Sequence, residues 1–341
     1  MIDPVDTLII GAGPIGLACG ISAARRGIRA TIVDAGPIAR SITRYPVGMT
    51  FFTTPERLEI GGHPLVTGGA KATREEALKY YRGVARAEGL DVRPYIRLAG
   101  ATKGQGGIEC TFETRRGVET TTCQRLVLAT GYFDHANQLG VPGEHLPHVS
   151  HWMDEAHQTT GLDVVIIGGK NSAVEAALQY YRAGARVTMV YRREEWRPSV
   201  KYWLKPDIDN RIAAGEIDAI FGASVEEITI DAVRVRRADG SLRLVPADRV
   251  YALTGYQPDF DMLTRIGIRI DEASGRPSMN PESLETNVGG VYLAGSVGAG
   301  RHTSEVFIEN GRYDGEKIFG DAPSRVAADA GYANAPRPVG E

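Results

Sequence analysis

Apolar residues near the start of the chain form two short runs, separated by a glycine-rich turn and a stretch with helical spacing. The first run, residues 7–10, leads directly into Gly11-Ala12-Gly13-Pro14-Ile15-Gly16, and the second run ends in Asp34. Short apolar runs bounded by turn residues predict buried strands. The pattern therefore predicts a strand, a tight turn, a helix and a second strand, which is the order of a βαβ unit that binds a dinucleotide.

The three glycines of this turn have separate predicted roles. Gly11 permits the tight turn, Gly13 lets the backbone approach a pyrophosphate, and Gly16 lets the helix pack closely on the strand. Asp34 follows Gly16 by eighteen residues, where a carboxylate is expected to bind the adenosine ribose. The alternative, an ordinary βαβ unit with a solvated Asp34, is disfavoured because the whole context of the motif is present.

The same hydrophobic pattern returns halfway along the chain. Residues 162–167 and 186–190 predict strands that flank a turn and a helix over residues 174–183. The turn between them reads Gly168-Gly169-Lys170-Asn171-Ser172-Ala173. After each copy, a meander of short strands ends in Thr-Gly, at Thr130-Gly131 and again at Thr254-Gly255. We interpret this repetition as an internal duplication of the dinucleotide-binding plan.

The two copies differ in the residues that meet the ribose. The first ends in Asp34, which suits the ribose diol of FAD, and the second ends in Arg192 and Arg193, which suit the 2′-phosphate of NADPH. Arg197 adds a third cation, and Lys170 stands where a glycine is usual, so that its ammonium can pair with a phosphate. A solvated basic pair is the alternative interpretation of Arg192 and Arg193.

These patterns predict an α/β fold with two Rossmann-like dinucleotide-binding domains, of the three-layer ββα type. We expect a first FAD-binding part over residues 1–145, an inserted NADPH-binding domain over 146–257 and a second FAD-binding part over 258–320. A last helix is predicted over residues 304–319. The tail, residues 321–341, is rich in Ala, Pro and Gly and is predicted to be disordered.

Charge and composition exclude several functions. The net charge of −3 does not provide the clustered cations that nucleic acid requires, and no apolar run is long enough to span a membrane. The N-terminus does not resemble a signal peptide, so the expected location is cytoplasmic. Cys19, Cys110 and Cys123 contain no CxxC spacing, which argues against a disulfide framework or a metal site.

Taken together, residues 5–320 resemble the two-domain FAD/NADPH flavoproteins of the thioredoxin-reductase type, and most closely the bacillithiol-disulfide reductase (YpdA-like) family. Five segments carry this resemblance: MTFFTTPERLEIGG at 49–62, IIGGKNSAVEAALQYYRAGA at 166–185, SVKYWLKPDIDNRI at 199–212, LTGYQPD at 253–259 and FIENGRYDG at 307–315.

The resemblance implies that a loop with Tyr45, Phe51, Phe52 and Thr53 covers the flavin ring. It also implies that the backbone N–H groups of two residues near the C-terminal helix stabilise negative charge on the flavin. The full set predicted to bind FAD is Gly11, Gly13, Pro14, Ile15, Gly16, Asp34, Tyr45, Phe51, Phe52, Thr53, Thr130, Gly131, Gly295, Ser296, Glu305 and Val306. The set predicted to bind NADPH is Gly168, Gly169, Lys170, Asn171, Ser172, Arg192, Arg193, Arg197, Thr254 and Gly255.

The chain departs from the wider pattern at two places. Thioredoxin-reductase relatives have Gly-Asp where this chain has Gly295-Ser296, and the bacillithiol family also lacks that Asp. The bacillithiol family carries a cysteine inside the first glycine turn, whereas this chain has Ile15. Cys19, one helical turn further on, is a candidate for a displaced catalytic thiol, and packing on a buried helix is the alternative interpretation.

The resemblance implies an NADPH-dependent FAD oxidoreductase that passes a hydride through the flavin to a low-molecular-weight thiol disulfide or a small redox protein. Three alternatives remain open at this stage. They are a ferredoxin or flavodoxin reductase, a redox sensor that binds nucleotides without turnover, and a flavin monooxygenase, suggested by Pro142-Gly143 with His145, His148 and His151. By analogy with the family, the chain is expected to form a homo-oligomer.

Overall fold

The computed structural model describes residues 3–334. Contacts divide these residues into two units. The first contains residues 3–43, 48–135 and 257–334, and the second contains residues 44–47 and 136–256. One dinucleotide-binding unit is therefore inserted into the sequence of the other.

Helices and strands alternate through most of the chain. The helices are α1 (Pro14–Ala24), α2 (Arg40–Thr43), α3 (Pro55–Leu58), α4 (Arg74–Ala87), α5 (Asn171–Arg182), α6 (Lys205–Ala213), α7 (Phe260–Arg265), α8 (Ile308–Gly311), α9 (Asp314–Phe319) and α10 (Ala322–Ala333), with 3-10 turns at Ala156–Thr159 and Gly295–Ala299. The strands are β1 (Val5–Ile10), β2 (Ala30–Asp34), β3 (Asp91–Pro94), β4 (Arg97–Gly104), β5 (Gly107–Thr114), β6 (Gly117–Leu128), β7 (Val149–Ser150), β8 (Asp163–Ile167), β9 (Arg186–Val190), β10 (Ile217–Ile220), β11 (Ser224–Ile228), β12 (Ala232–Arg236), β13 (Leu242–Pro246), β14 (Arg249–Ala252) and β15 (Val291–Leu293).

The sheet of the first unit combines parallel and antiparallel pairing. Its order is β3-β2-β1-β6-β5-β4, and β15 also pairs with β6. The long strand β6 joins the two kinds: residues 117–123 pair with β5 in antiparallel fashion, and residues 123–128 pair with β1 in parallel. β15 pairs with residues 126–128 of β6, which follow the residues that pair with β5. The carboxyl ends of β1, β6 and β15 therefore meet at one edge.

The second unit repeats the plan in a smaller sheet. Strands β10-β9-β8-β14-β7 are all parallel, and β11, β12 and β13 form a separate antiparallel sheet. In both units a glycine turn joins the first strand to a helix that leads back to a neighbouring parallel strand. The prediction of two Rossmann-like domains is confirmed.

The surface helix α4 begins with a capping box. The Thr73 hydroxyl accepts a hydrogen bond from the Glu76 N–H, and the Glu76 carboxylate accepts one from the Thr73 N–H. This reciprocal capping box satisfies two of the N–H groups that a helix start leaves without partners.

The prediction of one helix over residues 304–319 was wrong. The structure has two short helices, α8 and α9, with Arg312 and Tyr313 between them. The Asn310 carboxamide accepts from the Phe307 N–H and donates to the Glu305 carbonyl, so it starts α8 later than the sequence pattern indicated.

The prediction of disorder after residue 320 was wrong for residues 322–333, which form α10. The Asp321 carboxylate caps this helix by accepting from the Ser324 N–H, and Ala328 is buried. Residues 335–341 of the predicted tail lie outside the described part of the chain.

Residues 136–145, which we assigned to the first domain, group with the second unit. The bridge between Ala136 and Tyr256 ties them there, and the Glu144 carboxylate accepts from the N–H groups of Leu139 and Gly140.

Candidate functional site

The first glycine turn is closed by steric contacts on one side and open on the other. A Cβ on Gly11 would overlap the Ala129 carbonyl, and a Cβ on Gly16 would overlap the Gly11 carbonyl. Nothing lies within 4 Å of a Cβ built on Gly13. Helix α1 begins there without a side-chain cap, so its first N–H groups have no capping side chain. This arrangement suits a pyrophosphate.

Asp34 fixes this turn through its carboxylate. One oxygen accepts from the Ala12 N–H at 2.7 Å, and the other accepts from the Gly36 N–H at 2.7 Å. Burial raises the pKa of Asp34, and the two N–H groups oppose that rise. Each carboxylate oxygen keeps a further lone pair, so the group can still accept from ribose hydroxyls.

The neighbouring strands β6 and β15 bring two more predicted segments to the same edge. The Ala294 N–H donates to the Leu128 carbonyl at 2.9 Å, and a Cβ on Gly131 would lie 3.7 Å from the Ser296 hydroxyl. The Thr130 hydroxyl is buried and has no hydrogen-bond partner among residues 3–334. A buried hydroxyl usually has a partner, so this orphan, beside an open glycine turn and an uncapped helix, fits a site that FAD completes.

The four predicted flavin-loop residues do not behave alike. Phe51 and Thr53 are buried in the first unit, whereas Phe52 is 46% exposed with the Lys71 ammonium 4.9 Å from its ring. Tyr45 lies in the segment 44–47, which groups with the second unit.

Glu305, which precedes α8, forms two contacts within the chain. Its N–H donates to the His302 carbonyl at 3.1 Å, and its carboxylate pairs with Arg276 at 2.5 Å. This N–H is therefore engaged within the chain, and its predicted role toward the flavin stays a prediction. The predicted role of the Val306 N–H stays a prediction.

The side chain of Ile15 fills the space between two glycines of other elements. A Cβ on Gly295 or on Gly311 would lie 2.6 Å from the Ile15 Cδ1 atom. The start of α1, the turn after β15 and the end of α8 thus converge on one aliphatic side chain.

Cys19 is fully buried on α1, and burial, with a smaller contribution from Asp314, raises its pKa well above the usual value. A thiol with a raised pKa is a poor nucleophile, because the thiolate is the reactive form. Cys110 and Cys123 are also buried, on β5 and β6. No cysteine is exposed in the part of the chain that the structure describes.

We expect Cys19→Ala to keep its FAD and its rate of flavin reduction, since a buried neutral thiol contributes packing only. Its free energy of unfolding should fall by about 1 kcal/mol. Stopped-flow reduction and chemical unfolding measure the two effects. A large loss of turnover with the fold intact would restore Cys19 as a catalytic thiol.

Asp314, at the start of α9, was not predicted. Its buried carboxylate accepts from the Gly295 N–H at 2.6 Å and so holds the turn that follows β15. Burial raises its pKa to about 7, against the opposing effects of the Gly295 N–H and the Lys317 cation. Nothing in the local pattern could reveal it, because Gly295 is nineteen residues away and the burial is tertiary.

This raised pKa gives a signed prediction. The unfolded chain ionises Asp314 near its ordinary value of 3.8, whereas the folded chain does so only near 7. Stability should therefore fall as the pH rises through this window and level off above it. Asp314→Asn keeps an acceptor oxygen but cannot ionise, so at pH 8 its free energy of unfolding should be higher than that of the wild type by about 4 kcal/mol.

Chemical unfolding of the wild type and of Asp314→Asn at several pH values between 4 and 8 tests this prediction. The control is Asp261→Asn, which replaces an exposed aspartate and should keep the pH dependence of the wild type. The prediction would be contradicted if the free energy of unfolding of Asp314→Asn changed with pH as it does in the wild type.

The second glycine turn has the same architecture as the first. Gly168 has a φ of +148°, and a Cβ there would lie 2.5 Å from the Leu253 carbonyl oxygen. A Cβ on Gly169 would overlap the Tyr191 ring. Helix α5 begins after Lys170, again without a side-chain cap. Thr254, predicted to meet NADPH, donates its hydroxyl to the Asn137 carbonyl at 2.6 Å.

Asn171 has a structural task in this turn. Its amide nitrogen donates to the Ser199 carbonyl at 3.0 Å, and its amide oxygen accepts from the Lys201 N–H at 2.8 Å. Both ends of the side chain therefore hold residues 199–201 beside the first turn of α5.

The predicted cations gather at this turn. Burial, followed by the charges of Arg197, Arg192 and Arg193, lowers the pKa of Lys170. None of these four side chains forms an ion pair within residues 3–334. By contrast, six other arginines of the same unit are paired with carboxylates: Arg182, Arg186, Arg211, Arg234, Arg236 and Arg243. An unpaired cation cluster at an uncapped helix start is suited to a phosphate-bearing ligand.

The three histidines of the flavin monooxygenase alternative do not form a group. His151 is buried, with ring nitrogens 3.2 Å from the Ala252 carbonyl and 3.4 Å from Glu144. Neither ring nitrogen of His148 has a partner among the described residues, and His145 is exposed.

Within residues 3–334, the structure has no cluster of His, Cys, Asp and Glu that could hold a metal ion. In the same range no helix is both long and apolar enough to cross a membrane.

Comparison with known proteins places the chain among characterised families. Residues 8–295 match the family model of the pyridine nucleotide-disulphide oxidoreductases. Bacilliredoxin reductase Bdr of Bacillus subtilis is 43% identical over 318 residues, which cover 93% of this chain and 97% of that protein. A ferredoxin–NADP reductase of Ignicoccus hospitalis is 26% identical over 86% of this chain and 90% of its own length.

The solved structure of the bacillithiol disulfide reductase Bdr (YpdA) from Bacillus cereus is similar, with a TM-score of 0.90 and 39% identity over 96% of this chain and 99% of that chain. These matches confirm the predicted family, enzyme class and cofactors. The chain belongs to the pyridine nucleotide-disulphide oxidoreductases, in the group of the Bdr (YpdA) reductases, and is a flavoprotein oxidoreductase whose cofactors are FAD and NADPH.

Proposed function

We propose that this chain takes electrons from NADPH, through FAD bound in the first unit, and reduces a low-molecular-weight thiol disulfide of the bacillithiol type. The balanced reaction is NADPH, one proton and one disulfide giving NADP⁺ and two thiols. FAD, when bound, supplies the two-electron chemistry that links the two halves.

The assignment of NADPH as the electron donor rests on one observation. It is the cluster of four cations that form no ion pair within residues 3–334: Lys170, Arg192, Arg193 and Arg197. Such cations distinguish NADPH from NADH through the 2′-phosphate, and the uncapped start of α5 receives the pyrophosphate. In the first unit the Gly13 backbone receives the other pyrophosphate and Asp34 binds the ribose. The protein thus contributes binding and orientation rather than a reacting side chain.

The proposed electron acceptor rests on the Bdr relatives, whose names give bacilliredoxin and bacillithiol disulfide as partners. In this chain Ile15 stands at the family's cysteine position, and the three cysteines are buried. We therefore propose that the disulfide is reduced without a mixed disulfide to the protein.

A second candidate acceptor is an iron–sulfur protein of the ferredoxin type, or another small redox protein. The absence of an exposed cysteine in residues 3–334 favours it, because one-electron transfer to such a partner needs no thiol. Similarity to ferredoxin–NADP reductases supports the same candidate.

The test is an acceptor screen on the FAD-loaded protein. NADPH is added without oxygen until the visible absorbance of the flavin is lost, and bacillithiol disulfide, oxidised bacilliredoxin or oxidised ferredoxin is then mixed in. We expect fast return of the absorbance with bacillithiol disulfide. Fast return with ferredoxin alone would select the second candidate, and no bleaching by NADPH would reject the donor.

A further inference from the structure

Two neighbouring aromatic residues are exposed on the second unit. Tyr202 is 80% exposed and Trp203 is 41% exposed, and their rings meet edge to face with centroids 4.9 Å apart. Isolated exposed aromatics are common, but a contacting pair of large rings at the surface marks a place where a ligand or partner is expected.

The position of this pair is fixed by the second glycine turn. Asn171, the first residue of α5, binds the backbone of Ser199 and Lys201 with both ends of its side chain. Tyr202 follows directly after this anchor. The aromatic pair is therefore held next to the helix start that is suited to a pyrophosphate.

The loop that carries this pair, residues 197–203, begins with Arg197, which belongs to the cation cluster described above. Arg197 is the leading charge that acts on Lys170, ahead of Arg192 and Arg193. Residues 197–203 thus include one cation of the predicted 2′-phosphate site and the residues anchored at the predicted pyrophosphate site. The adenosine of NADPH joins these two phosphates, so its base must lie near this loop.

We propose that Tyr202, supported by Trp203, is the stacking platform for the adenine base of NADPH. The proposal rests on the proposed NADPH function of the second unit.

The two rings have different roles in this arrangement. The Lys201 ammonium lies 5.3 Å from the centroid of the Trp203 ring and occupies part of that surface. Tyr202 is the more exposed ring, and Trp203 meets it through an edge-to-face contact. Tyr202 therefore stacks on the base, and Trp203 fixes the orientation of Tyr202.

Calorimetric titration with 2′,5′-ADP, which carries the adenine, the ribose and both phosphates but no nicotinamide, tests the proposal on the FAD-loaded protein. Tyr202→Ala should bind it about tenfold more weakly than the wild type, and Tyr202→Phe should bind it as the wild type does. The loss should persist at high salt, because stacking is not screened, whereas the loss in Arg192→Ala should shrink.

Trp203→Phe gives an optical readout. We expect 2′,5′-ADP to quench tryptophan fluorescence in the wild type, and Trp203→Phe to bind with similar affinity but without most of this quench. Leu244→Ala, which removes another exposed apolar side chain of the same unit, is the matched control and should change neither signal.

Wild-type affinity for 2′,5′-ADP in a folded Tyr202→Ala variant would overturn the stacking proposal while leaving the NADPH function intact. Failure of the wild type to bind either NADPH or 2′,5′-ADP would instead reject the proposed function.

Discussion

Replacing Arg192 and Arg193 together by alanine should raise the KM for NADPH by about a hundredfold or more, with little effect on KM for NADH. Each arginine is expected to form a charge-assisted hydrogen bond with the 2′-phosphate, worth about 1.5–3 kcal/mol. Because NADH lacks that phosphate, the variant should lose its preference between the two donors. Steady-state kinetics with both nucleotides measure the effect.

The cluster geometry adds a second expectation for this variant. The charges of Arg192 and Arg193 contribute to the lowered pKa of Lys170. Their removal leaves Lys170 and Arg197 to bind the nucleotide, so residual NADPH binding should stay sensitive to salt. Arg237→Ala, another exposed arginine of the same unit without an ion pair among the described residues, serves as the control and should keep wild-type kinetics. Equal rises in KM for NADPH and NADH would contradict 2′-phosphate recognition.

Replacing Gly16 by alanine should abolish FAD binding. A Cβ at this position would overlap the Gly11 carbonyl oxygen and lie 3.0 Å from the Gly11 carbonyl carbon, both of which are backbone atoms. The turn and α1 would have to separate, and we expect a loss of more than about 4 kcal/mol in the free energy of unfolding. The purified variant should lack the flavin absorbance and unfold at a lower temperature.

Gly13→Ala is the matched control for this prediction. Its Cβ meets no atom of the chain within 4 Å, so the apoprotein should be nearly as stable as the wild type. If the pyrophosphate approaches the backbone here, the same variant should still bind FAD more weakly. A Gly16→Ala protein that is purified with a full complement of FAD would show that the turn tolerates the side chain and would contradict the packing argument.

Much of the fold was readable from the sequence because its signals are local. Residues 186–190 were predicted as a strand and form β9 with the same bounds. The paired glycine turns and the contrast between Asp34 and the arginines both depend on short spacings. Such spacings report directly on φ angles, helix starts and close backbone contacts.

Other features failed or were missed because they depend on contacts between distant residues. The last predicted helix is broken after Gly311, and the tail that was predicted to be disordered forms α10. The structural role of Asn171 was missed, since both ends of its side chain hold a loop about thirty residues away in the sequence. A hydrogen-bond partner that distant leaves no trace in local composition.

The sequence by itself determined that this chain has two dinucleotide-binding units, because glycine spacing is a local property. The charge at the end of the second strand, also local, is the basis of the prediction that FAD binds the first unit and NADPH the second. Only the tertiary structure decided how the turns are completed. It placed Ile15 against Gly295 and Gly311, tied buried Asp314 to the Gly295 N–H, and held Tyr202 beside the start of α5. These arrangements arise from packing between elements that are far apart in sequence, which no local pattern encodes.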